Sequence, residues 1–377
     1  MNCVMNRNEL AGMKVTVMGL GLNGGGIEAT RFLVANGAEV TVTDLRDENI
    51  LAPSLESLGG VRFRAVLGRH EETDFQLADM VIKNPAVRPG NPFIALARRV
   101  ETDLSLFFSL VNSPVIAVTG SKGKSTTASA IHHGLSGRFP DARIGGNITI
   151  SPLTFLDELP PRTPVVMELS SFQLGDLERS ASFKTGHGLP GFPPHIAVMT
   201  SIFPDHQDYY KSMPAYIADK EILFRHQRPD QHAIFCMDDE YGRAFAGKAP
   251  GTVWPVSQRP MDGVKRGSWL EALDAGTIAG KDPFLGPQGF VRDAGGDPEN
   301  ILGRSLAITG RHHRLNLLLA GTALHIMGIP ADDIRQRLEA FGGVEHRLET
   351  VCRWQGITFI NDSAATIPEA ALGAVSS

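Results

Sequence analysis

Cysteine is scarce: Cys3, Cys236 and Cys352 are the only three in 377 residues, far apart and without CxxC spacing. That argues against a disulfide framework or a zinc site and fits a reducing cytoplasm. A charge excess of either sign is also missing. Lys and Arg number 36 against 41 Asp and Glu, a net charge of −5, which leaves no electrostatic footprint for nucleic acid. No apolar run approaches the roughly 20 residues that span a bilayer. Residues 1–14 lack the apolar stretch of a signal peptide. Neither nucleic acid nor a membrane is therefore expected as a partner. The 12 histidines are scattered, and the adjacent pairs His132, His133 and His312, His313 do not share a helix face as His-x3-His would; most read as structural or solvated. What is present is ordinary globular composition, 42% hydrophobic and 20% charged, in a chain long enough for two or three domains.

Residues 115–127, VIAVTGSKGKSTT, run from a β-branched apolar strand through Gly120 to Lys124, Ser125 and Thr126, then turn helix-like at Ala128, Ala130 and Ile131. A helix start offers unpaired N–H groups and the positive end of the dipole. Glycines let the backbone curl round an anion, the lysine adds a point charge, and the hydroxyl can ligate Mg²⁺. Usual P-loop spacing asks for a glycine five residues before Gly123, where Val118 stands, so the loop is a shortened variant. The competing reading is a surface turn with two lysines. The order of strand, glycines, Lys-Ser and helix favours a triphosphate cradle.

A second nucleotide-type turn precedes it. Residues 14–18 read as a strand, residues 19–24 (GLGLNG) as a glycine turn, and residues 27–36 as a helix capped by Gly37. A strand over 38–43 ends at Asp44, twenty residues after Gly24. This matches the Rossmann fingerprint in context as well as in letters. It predicts a dinucleotide or nucleotide-sugar diphosphate at the helix start, with Asp44 near a ribose or base. An NAD(P) oxidoreductase is one function compatible with this turn.

Strand 80–83 runs into the Pro/Gly loop 84–90, and the alternation through residue 110 predicts a doubly wound α/β domain. Residues 143–148, RIGGNI, read as a glycine turn. Residues 164–174, PVVMELSSFQL, read as a buried strand with Glu168 near its C-terminal end, where parallel sheets gather ligands; a carboxylate there is a natural Mg²⁺ ligand. Strand 195–200 leads to Asp205 and His206, a metal-side pair or a capped loop. Lys220, on a predicted helix 215–224, reads by spacing alone as a surface lysine. Residues 241–300 read as short strands and turns. Helices are expected from about 310 to 327 and over 331–340, and a strand over 357–360.

Together these stretches resemble the Mur ligase family, ATP-dependent amino-acid ligases of peptidoglycan precursor synthesis. The co-linear matches are residues 19–22, 120–126, 145–148, 168–174, 205–206, Gly310 with His312 and Asn316, 346–349 and 361–363. The run ELSSFQL points to the glutamate-adding branch. The resemblance implies an α/β chain with a Rossmann-like domain over 1–112 that holds UDP rather than NAD, and a central P-loop-type mononucleotide-binding domain over 113–344. A third, Rossmann-like domain would open at 345–377. The resemblance further implies two Mg²⁺ sites and substrates UDP-N-acetylmuramoyl-L-alanine and glutamate, expected to be the D form, in a cytoplasmic monomer. Gly120, Ser121, Lys122, Gly123, Lys124, Ser125 and Thr126 would hold ATP phosphates, with Ser125, Glu168 and His206 on metal. Lys220 matches a family lysine that is carbamylated and so becomes a metal ligand. Leu22, Asn23, Asp44 and Arg46 would hold UDP. Asn147, Ser170 and Gln173 would contact the muramoyl substrate. Asn316 and Arg347 would contact the nucleotide, and Asp362 its ribose.

Two departures stand out. Ala364 occupies the place of the family's lysine in residues 361–366, NDSAAT, and the chain reaches only Ser377, so most of the third domain is expected to be missing. Weak or no ligase activity is expected of such a chain. A nucleotide- or UDP-sugar-binding module without ligase activity is the alternative.

Overall fold

The structure is a computed structural model that describes residues 7–363 except 23, 149, 185–188, 190, 272–284, 309, 346, 348 and 356. Two compact units divide the chain. One comprises Met1–Val115, Arg143–Pro193 and Pro214–Ile222; the other comprises Ile116–Ala142, Pro194–Met213 and Leu223–Ser377.

The first unit holds strands β1 (Lys14–Met18), β2 (Glu39–Asp44), β3 (Arg64–Leu67), β4 (Met80–Lys83) and β5 (Val100–Glu101), in the order β3-β2-β1-β4-β5. Every neighbouring pair is parallel. β4, an interior strand, is buried at all four residues, as expected where helices cover both faces of a parallel sheet. Helix Gly25–Ala35 crosses from β1 to β2, as the glycine turn predicts. Gly26 allows it: a Cβ there would overlap the carbonyls of Gly19 and Leu20. Helix Asp103–Leu110 starts at a capping box, Thr102 accepting from Ser105 N–H and Ser105 returning the bond.

The stretch expected as a glycine turn at 143–148 is instead mostly strand. After β6 (Val115–Thr119), β7 (Arg143–Gly146) pairs in parallel with β8 (Val165–Glu168) through all four residues. Gly146 belongs to this register because its φ is +98° and a Cβ would overlap the Glu168 carbonyl. The turn follows at Asn147 and Ile148.

The second unit contains most of β6 with β9 (Ile196–Met199), β10 (His232–Cys236), β11 (Thr252–Ser257), β12 (Gly267–Leu270), β13 (Gly289–Arg292) and β14 (Glu299–Leu302). Their order is β14-β13-β12-β11-β10-β9-β6. The run from β6 to β12 is parallel, and β13 and β14 add antiparallel strands. The expected strands beyond residue 241 are present, but they follow a helix, Glu240–Ala246, that the sequence reading missed. Asp239 starts it by accepting the Gly242 N–H at 2.7 Å. Helix Arg311–Ile326 carries a fully buried apolar face through Leu317, Leu318, Ala320 and Leu324. Beyond helix Ala331–Ala340, β15 (Glu349–Trp354) and β16 (Ile357–Asn361) form an antiparallel hairpin. Only β16 was expected.

Candidate functional site

The loop expected to cradle phosphates lies in the second unit. β6 ends at Thr119, the chain bends through Gly120 at φ +150°, and Gly123 at φ +87° caps helix Lys124–Leu135. Both glycines are required by what lies beside them. A Cβ on Gly120 would overlap Thr200 Oγ1, and one on Gly123 would overlap Asn316 Oδ1. The loop is pinned from β9. Thr200 Oγ1 donates to Lys122 O at 2.6 Å, and Ser121 N–H donates to Ser201 O at 2.8 Å. Ser121 Oγ donates to Phe203 O at 2.8 Å and accepts the Phe203 N–H at 2.9 Å. Lys124 Nζ folds onto the loop, donating to Gly120 O and Ser121 O at 3.0 Å each. Ser125 and Thr126, in the first turn, are buried. Thus three residues that no motif singled out shape the loop, Thr200 through its hydroxyl and Ser201 and Phe203 through their backbone. Their only signal in the sequence is their place just after an apolar strand.

Asp205 and His206 belong to the same unit. Asp205 Oδ2 lies 3.7 Å from Lys122 Nζ, and Oδ1 accepts the His206 N–H. His206 is held at φ +53°, costly for a residue with a Cβ, and its carbonyl accepts from Tyr209 and Tyr210 N–H at 3.0 and 2.9 Å. Asn316, on helix Arg311–Ile326, comes to Gly123. Arg347 and Asp362 act on the start of that helix. Asp362 raises and burial more strongly lowers the His312 pKa, while burial, His312 and Arg347 push His313 down to about 3.

In the first unit, Asp44 does not project freely from its strand. Its carboxylate accepts Gly21 N–H at 3.1 Å and Arg46 N–H at 2.9 Å, and Ser54 Oγ donates to Gly21 O at 2.7 Å. The glycine turn is thus shaped by Asp44. The Arg46 side chain is exposed and Leu22 half exposed, whereas Asn23 lies outside the described residues. The residues expected to face the muramoyl group gather in pairs. Asn147 Nδ2 donates to Glu168 Oε1 at 2.8 Å, and its N–H to Glu168 O at 2.8 Å. Ser170 and Gln173 form a capping box at the start of helix Ser171–Arg179.

Glu168 is 1% exposed, and among the described residues its Oε2 is buried without a hydrogen-bond partner. A buried carboxylate oxygen with no donor fits a cation ligand. Lys220 corrects the reading from spacing: it is 1% exposed, on helix Met213–Arg225, with Nζ 4.7 Å from the Tyr216 ring centre. Helical periodicity alone misplaced it because Lys is usually a surface residue. Among the described residues no three His, Cys, Asp or Glu side chains converge as a self-sufficient metal cage.

Residues 13–104 match the MurD-like N-terminal domain of Mur ligases, and residues 118–324 match the Mur ligase middle domain. The chain belongs to the Mur ligase family. It is 41% identical over 97% of its length to the UDP-N-acetylmuramoylalanine–D-glutamate ligase of a Roseiflexus species, of which it covers 76%. The ligase of the same name from Borreliella afzelii is 36% identical over 99% of this chain and 76% of its own. Among solved Mur ligases, the Thermotoga maritima UDP-N-acetylmuramate–alanine ligase superposes with TM-score 0.56 at 21% identity, covering 97% of this chain and 77% of that one. The UDP-N-acetylmuramate:L-alanyl-gamma-D-glutamyl-meso-diaminopimelate ligase from Neisseria meningitides gives 0.59 at 18%, covering 89% and 100%. These two likenesses establish the shared α/β fold.

Proposed function

We propose that this Mur ligase joins D-glutamate to UDP-N-acetylmuramoyl-L-alanine at the expense of ATP, with domains over 1–112, 113–344 and from 345. The observation that carries the reading is the buried, donor-less Oε2 of Glu168 beside Asn147, in a chain 41% identical to a ligase of that name. The substrate carboxylate attacks the γ-phosphorus of ATP; the bond to the ADP oxygen breaks and an acyl phosphate forms. The glutamate amine then attacks the acyl carbon, its nitrogen loses a proton, and phosphate leaves.

Gly120–Thr126 would hold the phosphates through backbone N–H groups, Lys124 neutralising charge as it develops. Asn316 and Arg347 would orient the nucleotide, and Asp362 its ribose. Ser125, Glu168, His206 and a carbamylated Lys220 would hold two Mg²⁺. When bound, Mg²⁺ would supply Lewis-acid polarisation of the transferred phosphoryl group. A carbamate would turn the buried Lys220 cation into an anionic ligand, which suits a residue 1% exposed. Asn147, Ser170 and Gln173 would orient the muramoyl group, and Leu22, Asn23, Asp44 and Arg46 the UDP. We place the reaction in the cytoplasm, by a monomer; among the described residues no helix is long and apolar enough to cross a membrane.

Phosphate release that requires ATP, UDP-N-acetylmuramoyl-L-alanine and D-glutamate together supports this reading. Release independent of the amino acid would sink it. Binding of UDP-sugar with no NADH fluorescence change would separate it from an oxidoreductase.

A further inference from the structure

Lys83 and Asp176 form an ion pair buried in the first unit, Nζ to Oδ2 2.6 Å, with side chains 5% and 4% exposed. Lys83 ends β4, and Asp176 lies on helix Ser171–Arg179. Burial outweighs attraction for both partners, lowering the Lys83 pKa and raising that of Asp176. Buried ion pairs contribute little stability against an apolar pair of like volume, so cohesion alone does not explain this one.

Its contacts point elsewhere. Lys83 Nζ also donates to Val87 O at 2.6 Å and Asn84 O at 3.3 Å, so it closes the turn that follows β4. Asn84 Nδ2 in turn reaches Gly19 O at 3.4 Å, and Asn84 Oδ1 accepts the Ala86 N–H at 3.0 Å. The turn therefore abuts the glycine loop that Asp44 shapes. At its other end, Asp176 lies in the second turn of the helix that Ser170 and Gln173 open. Arg179 extends the chain of charges, 3.4 Å from Asp176 and 3.7 Å from Asp219, next to Lys220. Gly175 makes that approach possible, since a Cβ there would overlap Asp219 and Arg179.

We infer that Lys83 and Asp176 are positioning residues that set the glycine loop and the Ser170–Gln173 helix start in one register, so that both meet a single nucleotide-sugar substrate. The inference rests on the function proposed above. UDP alone would touch only the glycine-loop side, whereas UDP-N-acetylmuramoyl-L-alanine would span both.

Calorimetric titration of Lys83→Met, Asp176→Asn and the double variant with three ligands tests this. The whole substrate should bind about 10-fold more weakly to each single variant, with UDP and ATP changed by less than about 3-fold. The double variant should lose no more than the worse single one. Asp176→Asn keeps the side-chain shape and serves if Lys83→Met does not fold. Parental affinity for the whole substrate, or equal weakening for all three ligands, overturns the inference alone. Failure of the unaltered chain to bind either UDP or the whole substrate overturns the functional reading beneath it.

Discussion

A carboxylate oxygen buried without a donor costs free energy unless something cationic meets it, and Glu168 Oε2 is such an atom. Glu168→Gln keeps an acceptor for Asn147 but removes the charge. Magnesium-dependent phosphate release should fall by about 100-fold or more, while the thermal midpoint holds or rises; unchanged release would remove Glu168 from the metal site. Gly123 makes a second case. Its φ of +87° and its approach to Asn316 leave no room for a Cβ. Gly123→Ala should cost roughly 1–2 kcal/mol in backbone conformation and weaken ATP binding, read by chemical denaturation and nucleotide titration. The strand, glycine loop and helix start around Lys124 were legible in the sequence because positive-φ turns fix glycines at set positions. Thr200 and Ser121's hold on Phe203 were not, since those contacts join residues about 80 apart in the chain.

Helix Ser171–Arg179 depends on its first turn. Ser170 accepts Gln173 N–H at 3.3 Å, and Gln173 Oε1 accepts Ser170 N–H at 2.9 Å. Ser170→Ala should destabilise the chain by about 1 kcal/mol and Ser170→Thr by much less, a difference that urea midpoints resolve. If the affinity for UDP-N-acetylmuramoyl-L-alanine falls only in proportion to the lost stability, more for Ala than for Thr, the hydroxyl acts through the cap; a loss out of proportion would place it on the substrate. The glycine turn made helix Gly25–Ala35 readable, but the start at Ser170 was missed: residues 164–174 read as one strand, whereas β8 ends at Glu168 and the helix follows. β7 escaped because two glycines in a row carry no strand propensity; its identity comes from pairing with β8. Helix Glu240–Ala246 escaped because seven residues give too short a period to stand out.

Across the whole molecule, burial lowers the pKa of His70, His133, His195, His232, His312 and His313, each mainly through desolvation. A histidine whose folded pKa lies below its unfolded value of 6.5 takes up its proton more readily when unfolded. The stability it contributes is complete above that value and is lost as pH falls, through to about 3 for His313. Each fully buried histidine adds at most about 1.4 kcal/mol per pH unit to the slope, and the half-exposed ones less. The unfolding free energy should therefore drop between pH 7 and pH 5, and His313→Gln should flatten the drop. A pH-independent midpoint over that range would contradict the burial of these rings.

The amino-acid order by itself determined the family, the two nucleotide-type turns and most strands and helices around them, because these rest on local backbone demands: glycines where φ is positive or space is missing, caps at helix starts, apolar runs in parallel strands. Tertiary structure alone decided that Lys220 is buried, that Asp44 braces its own glycine loop, that Glu168 keeps one oxygen without a donor, and that Lys83 meets Asp176 across 93 positions of sequence. Burial and partnership are properties of elements brought together from distant positions, and no local pattern of residues encodes which side chains they will enclose.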